Sequence, residues 1–373
     1  MNRCRACGHN RLERVLDLGA VPPADLFPPG DSSPSTAESA HELAMVLCTG
    51  CGLAQLADDD TVPDEPRGIE PEALREQARE AVEAVEKAGR LKGRTVIEFG
   101  SPHGGTWLPL LIERGFRPAV PAVPGAAASV VLDSFGIMHE TDQRAAFLKR
   151  AASLSPDGVL LLQFHTLSAI VSQGQWNALR HGHFAYYSLT ALRRLLEDVG
   201  LHISEAWTFD LYGGTVLVAA ERDPWTNAGL SARRILAAER ATGITSAATL
   251  RTLQRQADRQ VDELVSWLRK SAAEHRRVFA YGAASRAVAL FARADVDRSL
   301  MEAVADGSPA KAGRRMPGTD VPIVDLTALR DASPDCILLT VPDLLPEVRA
   351  QFPEFEGRWC IPPDSRHGVR WVG

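Results

Sequence analysis

Four cysteines hold the clearest chemistry in this chain. Cys4 and Cys7 form one C-x-x-C pair in CRACG, and Cys48 and Cys51 form a second in LCTGCG. Each pair runs into a glycine, the tight knuckle in which two thiolates grip one tetrahedral ion. Four soft thiolates suit zinc, which brings no redox chemistry of its own. A site closed by four protein ligands leaves no position open for substrate, so the spacing predicts a structural metal and not a catalytic one. The other two cysteines, Cys336 in DCILLTV and Cys360 after Trp359, read as plain buried residues.

The elements that would carry further chemistry follow from the pattern of apolar residues. VIEFGSPHGGTW (96–107) reads as a buried strand entering a glycine-rich turn, with a helix at about 106–115. SVVLDSF (129–135) and GVLLLQF (158–164) read as buried strands separated by a helix at 141–154. A helix near 189–199 precedes an antiparallel pair, LHISEAWTF and GTVLVAAER. Residues 229–275 read as two helices broken near Gly243, and RVFAYGAASRAVALF is again strand, glycine turn, helix. The alternation of strand and helix predicts an α/β fold with mostly parallel sheets. The expected domains are a zinc ribbon over 1–65, a Rossmann-like α/β domain over 66–228, a helical connector over 229–275 and a small C-terminal α/β domain over 276–373.

Composition narrows the functions. The 373 residues are 45% hydrophobic and 24% charged, with a net charge of −6. No run of about eighteen apolar residues is present to span a bilayer. The first residues lack an apolar signal core, which predicts a cytoplasmic protein. No basic block marks a nucleic-acid partner. A small phosphate-bearing ligand is compatible with the acidic balance, because local arginines can bind it.

Three separated stretches together resemble one family, the zinc-containing C-methyltransferases of nucleotide-activated deoxysugars. They are the cysteine knuckles, the central α/β region, and a C-terminal part that holds VFAYGAASR (278–286) and DGSPAKAGRRMPGTDVPI (306–323). The last stretch follows the family pattern D-x-x-P-x-K-x-x-x-x-x-P-G-x-x-I/V-P at Asp306, Pro309, Lys311, Pro317, Gly318 and Pro322. The resemblance covers nearly the whole chain. It implies S-adenosylmethionine as methyl donor and a dTDP-linked 4-keto sugar as partner, methylated on a carbon beside the ketone. The oligomeric state is left open.

That chemistry needs a base near neutrality and a donor or cation for the enolate. In NALRHGHFAYYS (177–188) the resemblance places the base at His183, while Arg180 and Gly182 stand where the family has tyrosine and glutamate. A second family histidine corresponds to His139 in FGIMHE. The turn after the C-terminal strand implies phosphate binding at Gly282 and Arg286, with Lys311 as a further cation.

The cofactor side departs from the family. Gly100 and Gly104 keep the glycine turn, but His103 stands where the loop carries an acid. The family glutamate after the second strand corresponds to Val123, and between Glu113 and Asp133 there is no carboxylate. The third strand and its helix are missing from the sequence, and DEPRGIEPE replaces an aromatic-serine stretch that helps close the site. Asp133, at a strand end, is the candidate to face the adenine instead. The loop is therefore expected to bind S-adenosylmethionine weakly or not at all. Three functions stay open: a sugar C-methyltransferase with an unusual cofactor pocket, a donor-independent epimerase, isomerase or dehydratase on the same substrate class, and a non-catalytic partner protein.

Overall fold

A computed structural model of the protein describes residues 3–32, 38–59, 61, 72–102, 104–119 and 127–372. The N-terminal strands are β1 (Leu12–Val21), β2 (His41–Cys48) and β3 (Ala54–Leu56). The central strands are β4 (Thr95–Phe99), β5 (Arg117–Pro118), β6 (Ala128–Ser134) and β7 (Leu154–His165). After these come β8 (Ala185–Tyr186), β9 (His202–Phe209) and β10 (Thr215–Glu221). The C-terminal strands are β11 (Val278–Tyr281), β12 (Ala303–Ala305), β13 (Ile323–Val324), β14 (Cys336–Leu339), β15 (Trp359–Ile361) and β16 (Arg370–Val372).

These strands form three sheets. The central one has the order β5-β4-β6-β7-β10-β9, with β4 to β7 parallel and β10 antiparallel to both of its neighbours. Its buried strands read Val-Ile-Leu-rich because both faces are covered. From β4 the chain first moves outward to β5 and then returns to β6 on the other side. A sheet that reverses direction in this way opens a crevice at the carboxyl ends of those strands. Residues 119–127 alone join β5 to β6.

The C-terminal sheet has the order β13-β12-β11-β14-β15-β16, parallel except for β16. The connector forms helices Leu230–Thr242, Ala247–Leu250 and Thr252–Ala273, with Gly243 capping the first. The long helix packs Leu264 and Leu268 into one core with Val15 and Met45 of the ribbon and Leu338 of the C-terminal sheet. No helix among the described residues is long and apolar enough to cross a membrane.

The ribbon is less self-contained than its sequence suggests. Its antiparallel sheet has the order β1-β2-β3-β8, and the last strand belongs to the segment at 185–186. An unpaired β3 would leave a row of open backbone groups. Pairing with β8 closes that edge and ties the ribbon to the residues just after His183.

Candidate functional site

The four cysteine sulfurs come together at the ribbon's knuckles, all within 4.8 Å of one another. Cys4 Sγ lies 3.6 Å from Cys51 Sγ, and Cys7 Sγ lies 3.6 Å from Cys48 Sγ. Bonds of about 2.3 Å to a tetrahedral zinc put sulfurs about 3.8 Å apart, so the cluster fits that ion. Arg5, between the first two cysteines, donates to the Leu56 and Thr141 carbonyls and lies over the Phe184 ring at 4.6 Å. The knuckle is thus wired to both histidine loops. A Cys48→Ser chain should lose the metal and loosen the β3–β8 pairing, whereas the folded parent should carry about one zinc. Elemental analysis that finds no zinc in folded parent protein would reject this. Cys336 and Cys360 are fully buried and free, on neighbouring strands β14 and β15.

A cavity of about 320 Å³ opens at the carboxyl ends of β4, β6 and β7, where the central sheet faces the C-terminal domain. It gathers Gly104, His139, Arg286 and Lys311 from separate parts of the sequence, together with Arg180 and His183 from one loop. His139 ends a 3-10 turn, Ile137–His139, directly after β6. Its Nδ1 lies 2.9 Å from the Gly182 carbonyl, which can only accept, so Nδ1 carries the proton. The His139 and His183 rings meet edge to face with centroids 4.4 Å apart. The His183 loop is held from several sides. Asp59 accepts the Gly182 N–H at 2.7 Å, and the Phe184 N–H donates to the Met138 carbonyl at 2.7 Å.

The other end of the cavity is cationic. Arg180 donates to Ser285 Oγ at the start of the Ser285–Arg293 helix. The Arg286 guanidinium lies 5.2 Å from the centre of the Tyr212 ring. Burial lowers its pKa, and the nearby Arg180 pushes the same way. Lys311 donates to the Ala283 carbonyl at 2.8 Å, so it holds the glycine turn as well as lining the cavity. Gly282 stands outside the lining. Its φ is 92°, and a Cβ there would lie 2.8 Å from Thr340 Oγ1, so glycine serves the turn that aims Ser285 and Arg286 inward.

The structure adds residues that the sequence did not single out. His165, the last residue of β7, lines the cavity. Burial, then the charge of Arg286, pulls its pKa down to about 3, so it is neutral at pH 7. Its place at a strand's carboxyl end was the available signal. Asp343 also lines the wall, and burial raises its pKa. Tyr212 and Phe135 face each other with ring centroids 5.8 Å apart. Both hold left-handed backbone, with φ values of 57° and 58°.

The cofactor side gives a correction. Asp133 does not face the cavity. It is fully buried, with Oδ2 bound by Arg150 at 2.8 Å and Oδ1 accepting the Gly136 and Ile137 N–H groups at 2.8 and 3.0 Å. An ionised carboxylate left in that apolar place would be costly, so its lone pairs go to Arg150 and the turn. Glu98 is likewise occupied, accepting from Thr106 Oγ1 at 2.5 Å and the Trp107 N–H at 2.8 Å. Gly100 ends the strand outside the lining, and a Cβ there would meet nothing, whereas Gly104 lines the cavity at φ 88°. His103 and Val123 lie outside the described residues. Among the described lining residues Asp343 is the one carboxylate, and it belongs to the C-terminal domain. The glycine-loop side offers amides instead, with Gln77 and Gln163 donating to each other at 2.8 and 3.0 Å.

Fold and cluster together define a Rossmann-like α/β protein of the methyltransferase type with an N-terminal cysteine cluster that fits zinc. Three family models match it in succession: a zinc binding domain over residues 4–65, a methyltransferase domain over 71–206, and a C-methyltransferase C-terminal domain over 210–362. The chain belongs to the C-methyltransferase family that these three domains define. It is similar to C-methyltransferase NovU of Streptomyces niveus, 26% identical over 98% of this chain and 96% of that one. Among solved structures it is similar to the 1,6-didemethyltoxoflavin-N1-methyltransferase of Burkholderia thailandensis, at 12% identity, covering 45% of this chain and 94% of that one with a TM-score of 0.29. The magnesium protoporphyrin IX methyltransferase of Synechocystis PCC 6803 matches at 12% identity over 42% of this chain and 90% of that one, with a TM-score of 0.30.

Proposed function

We propose that the chain binds a nucleoside-diphosphate keto-sugar of the dTDP-linked class and removes a proton from the carbon beside the ketone. One observation carries this reading: a single cavity holds the His139–His183 pair and, with it, Arg180, Arg286 and Lys311. His183 takes the proton, and His139, fixed through Nδ1, orients it. The diphosphate lies at the start of the Ser285–Arg293 helix, where backbone N–H groups and Arg286 meet its charge. Arg180 reaches that helix start from the histidine loop and steadies the enolate oxygen or the adjacent phosphate. Arg286→Ala should weaken dTDP binding about ten- to a hundredfold, the worth of charge-assisted hydrogen bonds. Calorimetry that shows equal affinity in this variant and the parent would remove Arg286 from the site.

S-adenosylmethionine would supply the methyl group for C-methylation, the reading the family favours. The described residues do not fit that donor at its ribose, because Glu98 and Asp133 are consumed within the protein. This favours a second reading, in which the enolate is reprotonated or expels a neighbouring group, giving an epimerase, isomerase or dehydratase. Proton exchange beside the ketone, followed in D₂O without methyl donor, tests the shared step. Calorimetry with S-adenosylmethionine separates the outcomes. Little heat at sub-millimolar donor is expected, and a micromolar dissociation constant would return the chain to methyl transfer.

A further inference from the structure

The proline-rich excursion between β1 and β2 crosses to the C-terminal domain and pairs with the loop that carries Lys311. The Gly30 N–H donates to the Gly313 carbonyl at 2.9 Å, and the Arg315 N–H donates to the Pro28 carbonyl at 3.0 Å. The Arg314 guanidinium donates to the Phe27 carbonyl at 2.6 Å. Arg315 forms an ion pair with Glu38, and the two side chains are only 1% and 6% exposed. The same guanidinium donates to the Ser32 and Thr319 carbonyls, both at 2.9 Å, while Glu38 also accepts the Gly318 N–H. Phe27 is buried, and its ring centre lies 4.6 Å from Lys311 Nζ.

We infer that this excursion is a clamp that sets the phosphate end of the cavity, with Phe27 and Glu38 as positioning residues that act through Lys311. The inference rests on reading the cavity as a nucleotide-sugar site. Its logic is a chain of contacts. Phe27 supplies a ring face to a desolvated ammonium, which is attracted by the ring's quadrupole. Lys311 then holds the Ala283 carbonyl, and Asp306 holds the Ala283 N–H at 2.7 Å. With the N–H and the C=O of Ala283 both fixed, the next residues, Ala284 to Arg286, are turned to the cavity. The buried pair of Glu38 and Arg315 fixes the register of the two loops, because either charge left alone there would be costly. The ribbon therefore reaches the site twice: its knuckle end steadies His183, and its excursion steadies Arg286.

The test uses the full-length, zinc-loaded chain with Glu38→Gln and Phe27→Leu made separately. Each should bind dTDP about tenfold more weakly by calorimetry. Amide hydrogen exchange, read by mass spectrometry in peptides covering 283–286 and 308–318, should be about tenfold faster without ligand. Zinc content and the saturated rate of proton exchange beside the ketone should stay at parental values, so the defect falls on KM. Glu38→Asp, which keeps the charge, should retain most of the affinity. If Glu38→Gln precipitates, Phe27→Leu carries the test, since leucine still fills the apolar space. Unchanged amide exchange and unchanged dTDP affinity in a folded variant would overturn the clamp. Failure of the parent to bind dTDP would instead reject the site reading, and the amide exchange would still decide the clamp.

Discussion

A His183→Asn chain should lose between about a hundredfold and ten-thousandfold of its deuterium exchange at the carbon beside the ketone of a dTDP-4-keto sugar. Asparagine fills similar space and keeps hydrogen-bonding groups, but it cannot accept a proton near pH 7. The backbone around it should hold, because the Gly182 and Phe184 N–H groups are anchored by Asp59 and Met138. His139 donates its Nδ1–H to the Gly182 carbonyl, which leaves Nε2 as its one basic nitrogen, and a His139→Asn control reads whatever exchange that nitrogen supports in place of His183. His165, with a pKa pulled to about 3, is too weak a base to replace it. Exchange that continues at the parental rate in a folded His183→Asn protein would remove His183 from the base role.

The largest loss of stability is expected from Arg150→Met. Arg150 and Asp133 form an ion pair with side chains 2% and 0% exposed. Removing the guanidinium leaves a buried carboxylate with two backbone N–H partners and no countercharge. Breaking such a pair costs about 3–5 kcal/mol. The denaturant midpoint should fall accordingly, and Arg150→Met with Asp133→Leu should recover much of the loss, because removing both charges leaves neither unpaired. A loss under about 1 kcal/mol in the single variant would contradict this account. The change should also reach the site, since Asp133 fixes the amides that begin the His139 turn.

How much of this was legible in the sequence depends on the range of the interaction. The cysteine knuckles were legible because the ligands lie three apart within each turn. The strands β4, β6 and β7 were legible because a fully buried parallel strand is an unbroken apolar run. His139, His183, Arg180, Arg286 and Lys311 were selected by resemblance and meet in one cavity. Asp133 was misjudged because strand position fixes where a side chain starts but not what neutralises it. Its partner, Arg150, comes from the facing helix Gln143–Ala152. Completion of the ribbon by β8 was also hidden, as a two-residue strand has no periodicity to read. The docking of Phe27 and Glu38 on the 311–319 loop joins segments far apart in the chain, and local pattern carries no trace of it.

Phe135 and Tyr212 have a consequence for the cavity wall. Each is a bulky residue in left-handed backbone, a conformation that costs roughly 1–3 kcal/mol where the surrounding structure enforces it. They stand on separate loops, one after β6 and one before β10, and their rings close against each other at the cavity wall. Turning either residue out of left-handed backbone would release that strain, at the cost of the ring contact and of the Arg286–Tyr212 contact at 5.2 Å. The two loops are thereby sprung against each other at the cavity wall, so a Phe135→Gly or Tyr212→Gly chain should show faster amide exchange in both loops.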